Sequence, residues 1–244
     1  MKKLFVLFLL IVTGCFFGTF QTPEPTGSGK VDGQIFASFP GFVHPDHGKA
    51  AADENIYRSW NMGGAVGFGV AKEADIGVMM NGMGVGPYAK IRLLKSSKRP
   101  TRVMSFAVQP YLLYDIISET YLITPGVNLM LGYRPHKNWM WYLSWQGIYA
   151  PQGATSGEEL WGEIAPGFYQ HAAFGLDFKY KGSGEFVGLK GKTDYGFRLE
   201  LGGSYFKYSG NGSYYPIFTI GLGFVGGSAL GCLNLLGAGL GGMQ

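Results

Sequence analysis

The chain is poor in charged residues. Asp, Glu, Lys and Arg make up 15% of its 244 residues, against about 25% in ordinary soluble proteins. The net charge of +4 is small, and the Lys and Arg residues are scattered rather than grouped into the basic stripe that nucleic-acid binding needs. We therefore expect no nucleic-acid partner.

Cysteine and histidine are scarce as well. The two cysteines, Cys15 and Cys232, stand far apart in different contexts, so they predict no metal site. Two of the four histidines fall in His44-Pro45-Asp46-His47, and imidazoles close to a carboxylate suit zinc. No further ligand is fixed by spacing. We expect no metal and no cofactor.

Glycine and aromatic residues are abundant instead. There are 41 glycines, and aromatics make up 16% of the chain. So much glycine would weaken helices, whereas twisted, curved sheets use it where the backbone bends or strands approach closely. The length is enough for one sizeable domain. Composition thus favours a single all-β domain.

The amino terminus carries a targeting signal. Lys2 and Lys3 precede an apolar run over 4–12 that is too short to span a bilayer as a helix, which is typical of a secretory signal. The sequence Val12-Thr13-Gly14-Cys15 resembles the lipobox of bacterial lipoproteins. This resemblance implies removal of 1–14 and acylation of Cys15, for instance with palmitate. The alternative is an ordinary signal peptide that contains a cysteine. Because Phe16, rather than Asp, follows Cys15, the resemblance implies delivery to the outer membrane.

The remaining chain divides into three parts. Residues 15–30 are rich in Pro, Gly, Thr and Ser without alternation, so we predict a flexible, lipidated tether. Residues 31–225 form the predicted β-barrel domain. Residues 226–244 are rich in Gly and Leu, lack steady alternation and carry no charge. We expect them to form a cap or an interfacial segment rather than another strand.

Alternation with period two runs through the predicted barrel. In one clear case, large apolar side chains at Trp139, Trp141, Leu143 and Trp145 alternate with smaller or more polar ones. Similar patterns start at Phe168 and Tyr195, and further strands are predicted near Val31, Pro87, Arg102 and Tyr121. The spacing indicates about ten strands (8 to 10) joined by turns in an antiparallel, up-and-down meander.

Period two alone does not say which face is inside. The minority face is mostly Gly, Ala, Ser and Asn, which suits a narrow, packed lumen better than a water-exposed surface. The large apolar face, with aromatics near the strand ends, resembles the lipid-facing band of the small bacterial outer-membrane β-barrel proteins. That resemblance implies a membrane-type barrel, monomeric, with outer-membrane lipid as its partner. The alternative is a soluble, lipid-anchored barrel that binds an apolar ligand inside.

A few charges fall on the small face. Because a narrow lumen forces such charges to pair, we predict a lumen charge network that plugs the barrel; a selectivity ring in a small pore is the alternative. The predicted members of the network are Lys90, Arg92, Asp177, Arg198 and Glu200.

One further pair of residues invites comparison with outer-membrane hydrolases. His171 and Asp177 share the small face of one strand, but six residues along a strand separate them by about 20 Å, and no serine flanks His171. A histidine that is satisfied by a neighbouring strand is favoured. We therefore expect a lipid-anchored outer-membrane barrel with a structural, adhesive or small-ligand binding role and no catalysis, with a hydrolase as the alternative; the sequence does not identify the ligand.

Overall fold

The computed structural model describes most of the chain. The described residues are 20–42, 61–81, 84–114, 123–150, 154–155, 163–164, 166–181, 184–186, 189–191, 194–207 and 214–226. The predictions on residues 1–14, Cys15, His44 to His47 and 227–244 fall outside these ranges.

The described chain is built from strands. In chain order they are β1 (Val31–Phe42), β2 (Asn61–Ala71), β3 (Ala74–Asn81), β4 (Gly84–Lys95), β5 (Val103–Tyr114), β6 (Ile123–His136), β7 (Trp139–Ala150), β8 (Ala154–Thr155), β9 (Glu163–Ile164), β10 (Gly167–Lys181), β11 (Gly184–Phe186), β12 (Leu189–Gly191), β13 (Asp194–Lys207) and β14 (Tyr214–Gly226). No helix among the described residues is long and apolar enough to cross a membrane.

The long strands close into one antiparallel barrel of ten strands. Their order around the wall is β1-β14-β13-β10-β7-β6-β5-β4-β3-β2, and β1 pairs with β2 to close the ring. The short pairs β8-β9 and β11-β12 form separate two-stranded sheets within the connections. The predicted fold class, an up-and-down barrel of about ten strands, is confirmed.

Alternation along each strand separates an outer from an inner face, as predicted. On β13, Leu199 and Leu201 are exposed, whereas Arg198 and Glu200 are buried. The exposed face carries large apolar side chains around the wall; Leu199 is 42% exposed and Phe174 on β10 is 43% exposed. The outer surface is therefore apolar.

The inner face carries the buried polar and charged side chains, interspersed with apolar ones such as Leu113, Met130 and Tyr142. Its fully buried side chains include Gln109, Asn128 and Asp177, each 0% exposed. Polar groups inside and apolar groups outside are the arrangement of membrane barrels and the inverse of soluble ones. The fold is thus a membrane-type barrel, because its outer face is apolar rather than the hydrophilic face that the soluble alternative requires.

Residues 20–30, which we call the lumenal segment, correct one prediction. The sequence predicts a flexible tether over 15–30, but Phe20, Gln21 and Thr22 are each at most 3% exposed and lie inside the barrel. The tether interpretation is wrong for these buried residues, whereas 28–30 of the same range are exposed. Its Pro-rich composition reflects an extended chain that packs against the lumen wall rather than a free linker.

The two ends of the barrel differ in their connections. Strand β1 begins and β14 ends at the same end, which we call the terminal end. Two of the four connections there are the two-residue turns Lys72-Glu73 and Lys137-Asn138, while four of the five at the opposite end are six residues or longer (43–60, 115–122, 151–166 and 208–213). The three register shifts in the strand pairing, near Ala71, Leu94 and His136, all lie toward the terminal end, where bulges commonly shape a barrel rim.

Candidate functional site

Phe20 marks the deepest described point of the lumenal segment. Its backbone N–H donates to Glu200 Oε2 at 2.9 Å, and Arg198 donates to its carbonyl oxygen. The ring stacks on Phe36 of β1 with centroids 4.7 Å apart. Gly221 of β14 leaves room for the ring, since a side chain there would collide with it. Both backbone polar groups of Phe20 are therefore bound by buried charges.

Glu24 binds the lumen wall through a bidentate ion pair. Arg134 on β6 donates from Nε to Glu24 Oε1 at 2.8 Å and from Nη2 to Oε2 at 2.7 Å. The same guanidinium also donates to the carbonyl oxygen of Lys137 at 3.2 Å and lies 3.5 Å from Asp177. Two parallel, charge-assisted hydrogen bonds give this contact both strength and a fixed geometry.

The surroundings of Glu24 shift its ionisation. Burial alone would raise the pKa of its carboxyl group, but the hydrogen bonds and charge of Arg134, helped by Lys179, bring the pKa below its ordinary value of 4.5; Asp177 opposes this. Glu24 is therefore held as a carboxylate at neutral pH.

Thr26 makes a third contact, with β3, three strands away from β6 around the wall. Its backbone N–H donates to both carboxylate oxygens of Asp75 at 3.0 and 2.9 Å, and its hydroxyl donates to Oδ2 at 3.2 Å. Lys90 Nζ of β4 lies 3.3 Å from the same carboxylate. Asp75 thus joins the lumenal segment to β3 and β4.

A glycine turn then leads from the lumenal segment into β1. Gly27 and Gly29 have φ angles of 93° and 72°, which favour glycine. Lys30 N–H donates to the Gly27 carbonyl oxygen at 3.1 Å, and Gly29 N–H donates to the Gly69 carbonyl oxygen at 2.7 Å. A side chain at Gly69 would collide with the backbone of Gly27, so this close approach requires glycine.

The five residues predicted as one charge network fall into three groups. Asp177 and Arg198 form a buried ion pair of 2.7 Å. Glu200 belongs to the same group because Glu200 and Arg198 both bind backbone groups of Phe20. Lys90 pairs with Asp75 instead. Arg92 pairs with Glu73 at the terminal end and does not join the others.

Sequence analysis missed four partners of these charges, namely Asp75, Glu73, Arg134 and Glu24. Asp75 carried a signal, since it alternates with the apolar residues of β3. Arg134 also carried a signal, since it continues the buried alternation of Asn128, Met130 and Gly132 on β6, whereas Glu24 lies in the predicted tether. Among the described residues, the buried charged groups are the cations Lys90, Arg134 and Arg198 and the anions Asp75, Asp177 and Glu200. The lumen wall is thus balanced in charge, and the lumenal segment adds Glu24.

His171 finds its partners on the neighbouring strand, as predicted. Its Nδ1 lies 2.8 Å from Ser204 Oγ on β13, and its Nε2 lies 4.0 Å from Glu200 Oε1. Glu200 also accepts a hydrogen bond from the Tyr142 hydroxyl at 2.9 Å. The order serine, histidine, carboxylate matches that of a nucleophile, a base and an acid, but all three are at most 4% exposed.

The outer wall carries a groove of about 660 Å³. Its lining includes the large apolar side chains of Leu143, Phe174 and Phe218 and the small residues Ala172 and Gly203. Such a surface suits lipid chains rather than a polar ligand. The described residues hold no cluster of three or more His, Cys, Asp or Glu that could bind a metal ion.

Comparison with known proteins gives little. No protein-family model and no curated protein matches the chain. It is similar to the Pseudomonas aeruginosa proteins OccK5 (OpdH) and OccK11 (OpdR), each with a TM-score of 0.30 and 10% identity, and each match covers 78% of this chain and 62% of the other. For OccK1 (OpdK) the TM-score is 0.28 at 9% identity, with 70% and 57% covered. The chain thus spans less than two thirds of the length of these structures. TM-scores this low support no statement about function.

Proposed function

We propose that this protein is an outer-membrane β-barrel, anchored by a lipid on Cys15, whose lumen is closed by its own lumenal segment. It has a structural or small-ligand binding role rather than that of an open diffusion pore. The observation that carries the membrane placement is the inverted polarity of the barrel, with Leu199 and Phe174 exposed outside and Asp177, Arg198 and Glu200 buried inside.

The connections support an orientation. Single-chain outer-membrane barrels have short periplasmic turns and longer extracellular loops. The two-residue turns at the terminal end and the longer connections opposite therefore favour a periplasmic terminal end. Ligand binding would then start at the opposite, extracellular end.

Closure of the lumen is supported by the contacts of the lumenal segment. Phe20, Glu24 and Thr26 each bind a buried charge on a different part of the wall. A segment held at three points across the interior leaves little room for solutes to pass the terminal half of the barrel.

Migration in SDS gels tests the membrane placement. Membrane barrels stay folded in cold SDS and run anomalously, then shift to the unfolded position on boiling. We expect the full chain, isolated from outer-membrane fractions, to show this shift. Recovery in the soluble fraction without a shift would overturn the placement.

The lipid anchor is tested separately. Replacing Cys15 with Ala should abolish incorporation of labelled palmitate and leave an unprocessed or mislocalised precursor, while Cys232→Ala serves as the matched control and should label normally. Equal labelling of the Cys15→Ala variant and the parent would remove the anchor from the proposal without affecting the barrel.

A hydrolase is a second candidate, favoured by one observation, the 2.8 Å contact between His171 and Ser204. A reactive Ser204 would be labelled by a fluorophosphonate in the parent protein and not in the Ser204→Ala variant. We expect no labelling of the parent, because burial keeps Ser204 from a substrate.

A further inference from the structure

Three side-chain amides inside the barrel, Gln109, Asn128 and Gln146, form what we call the amide belt. They lie on neighbouring strands β5, β6 and β7, and the register pairs Gln109 with Asn128 and Asn128 with Gln146. All three are 0% exposed. The belt lies farther from the terminal end than the wall residue Gly132, against which Pro23 of the lumenal segment packs.

Each amide uses one of its two ends within the protein. Asn128 Nδ2 donates to Gln109 Oε1 at 3.1 Å, and Gln146 Nε2 donates to the Tyr111 hydroxyl at 2.8 Å. The other ends, Gln109 Nε2, Asn128 Oδ1 and Gln146 Oε1, are buried without a protein partner. Buried polar groups normally have a partner, so these three atoms call for one.

Exchanging the nitrogen and oxygen positions of the side-chain amides still leaves polar groups without a protein partner. If Gln109 and Asn128 are both flipped, the bond between them persists, but the oxygen of one and the NH₂ of the other are left over. If Gln146 is flipped, its oxygen accepts from Tyr111 and its NH₂ is left over. Every assignment therefore leaves at least three unused amide ends, which include both a donor and an acceptor.

We infer that the amide belt is a binding site for ordered water. A buried water typically makes about three hydrogen bonds to otherwise unsatisfied groups, and one water can accept from an amide NH₂ while donating to two amide oxygens. The belt itself is uncharged, which gives an ion no counter-charge there. The buried side chains of Tyr111, Ile148 and Met130 share the inner face of the same three strands. The site thus places bound water in the lumen beyond the part that the lumenal segment fills.

Solution NMR on the full, isotope-labelled chain in detergent micelles tests the site. We expect dipolar cross-peaks, of opposite sign in NOE and ROE spectra, between water and the side-chain NH₂ groups of Gln109 and Asn128. Such signs indicate a long-lived water rather than proton exchange. Absence of these cross-peaks in the folded parent protein would overturn the inference, and this measurement requires no variant to fold.

A matched pair of variants locates the water. Asn128→Leu should abolish the water cross-peak at Gln109, while Asn138→Leu, in the β6-β7 turn, should leave it unchanged. If the cross-peak at Gln109 survives in a folded Asn128→Leu variant, the water is bound elsewhere and the belt is not its site.

Discussion

Arg198 binds groups from three parts of the barrel at once. It donates to Asp177 on β10, to the carbonyl oxygen of Phe20 and to Gln34 Oε1 on β1. A guanidinium that is 3% exposed costs free energy to bury unless such partners are in place. Its side chain is therefore a junction between the wall and the lumenal segment.

Replacing Arg198 with Met should destabilise the barrel by about 3 to 5 kcal/mol, because Asp177 would remain buried without this partner. The matched control is Arg92→Met, which should cost less, because Glu73, 46% exposed, stays in contact with water when the Arg92 side chain, 8% exposed, is replaced. Tryptophan fluorescence during urea unfolding in detergent gives both free energies of unfolding. Equal costs for the two variants would contradict the assignment of Arg198 to a buried network.

Glu24 provides a prediction on pH. Burial raises the pKa of its carboxyl group, and so does Asp177, but the hydrogen bonds and charge of Arg134 together with Lys179 bring it below its ordinary value of 4.5. Its contribution to stability is therefore present above 4.5 and is lost as the pH falls through the lowered value. At neutral pH the Glu24→Gln variant should be less stable than the parent by about 1.5 to 3 kcal/mol.

That difference should shrink toward zero as the pH is lowered below the folded-state pKa, since a protonated Glu24 side chain and the glutamine that replaces it are both uncharged. Urea unfolding of both proteins across this pH range measures it. A difference that stays constant with pH would show that the ion pair with Arg134 is not its source.

Among the elements, the strands could be predicted from the sequence, whereas the position of the lumenal segment could not. Alternation is local, so Trp139 to Trp145 alone indicate a strand with one apolar face. The position of the lumenal segment depends on contacts such as Phe20 with Glu200, 180 residues apart, and its Pro, Gly and Thr residues look like those of a free linker. Composition could not separate an extended chain in water from one inside a barrel.

Weakening the wall contacts of the lumenal segment should open the lumen. In planar bilayers we expect the parent protein to stay closed and a Glu24→Gln, Thr26→Val double variant to show ion-conducting events. The ion pair of Glu24 with Arg134 and the hydroxyl contact of Thr26 with Asp75 are lost, while the backbone N–H of Thr26 keeps its hydrogen bonds to Asp75. Ser28→Ala, an exposed position in the same segment, is the control and should stay closed. Equal conductance of all three proteins would mean that this segment does not close the barrel.

The outer face of the strands provides a separate prediction. Leu199→Arg should cost about 2 to 4 kcal/mol if the residue meets lipid near the bilayer midplane, whereas Leu94→Arg, at the terminal end of β4, should cost about 0 to 1 kcal/mol. Both leucines are exposed, so burial in the protein does not distinguish them. Unfolding from lipid bilayers measures the two costs; in a water-facing wall both would be small.

For the whole molecule, the sequence could predict which face of the barrel wall is polar, but not which charged residues pair with each other. The small, sparsely charged face that includes Arg198 and Glu200 indicated a membrane barrel before any contact was known. Which charges meet depends on register: Asp75 lies opposite Lys90 in the β3-β4 pairing, and Arg92, two residues further along, meets Glu73 at the turn instead. A period-two pattern assigns faces but carries no register between strands.

Photolabelling from within a bilayer tests the inverted polarity of the barrel most directly. The full chain is reconstituted with a lipid that carries a diazirine on its acyl chain, irradiated, and the labelled residues of β13 are mapped by mass spectrometry. We predict labels on Leu199 and Leu201 and none on Arg198 and Glu200. Labels on Arg198 and Glu200 with Leu199 and Leu201 spared would contradict the account, because the polar face would then meet the lipid.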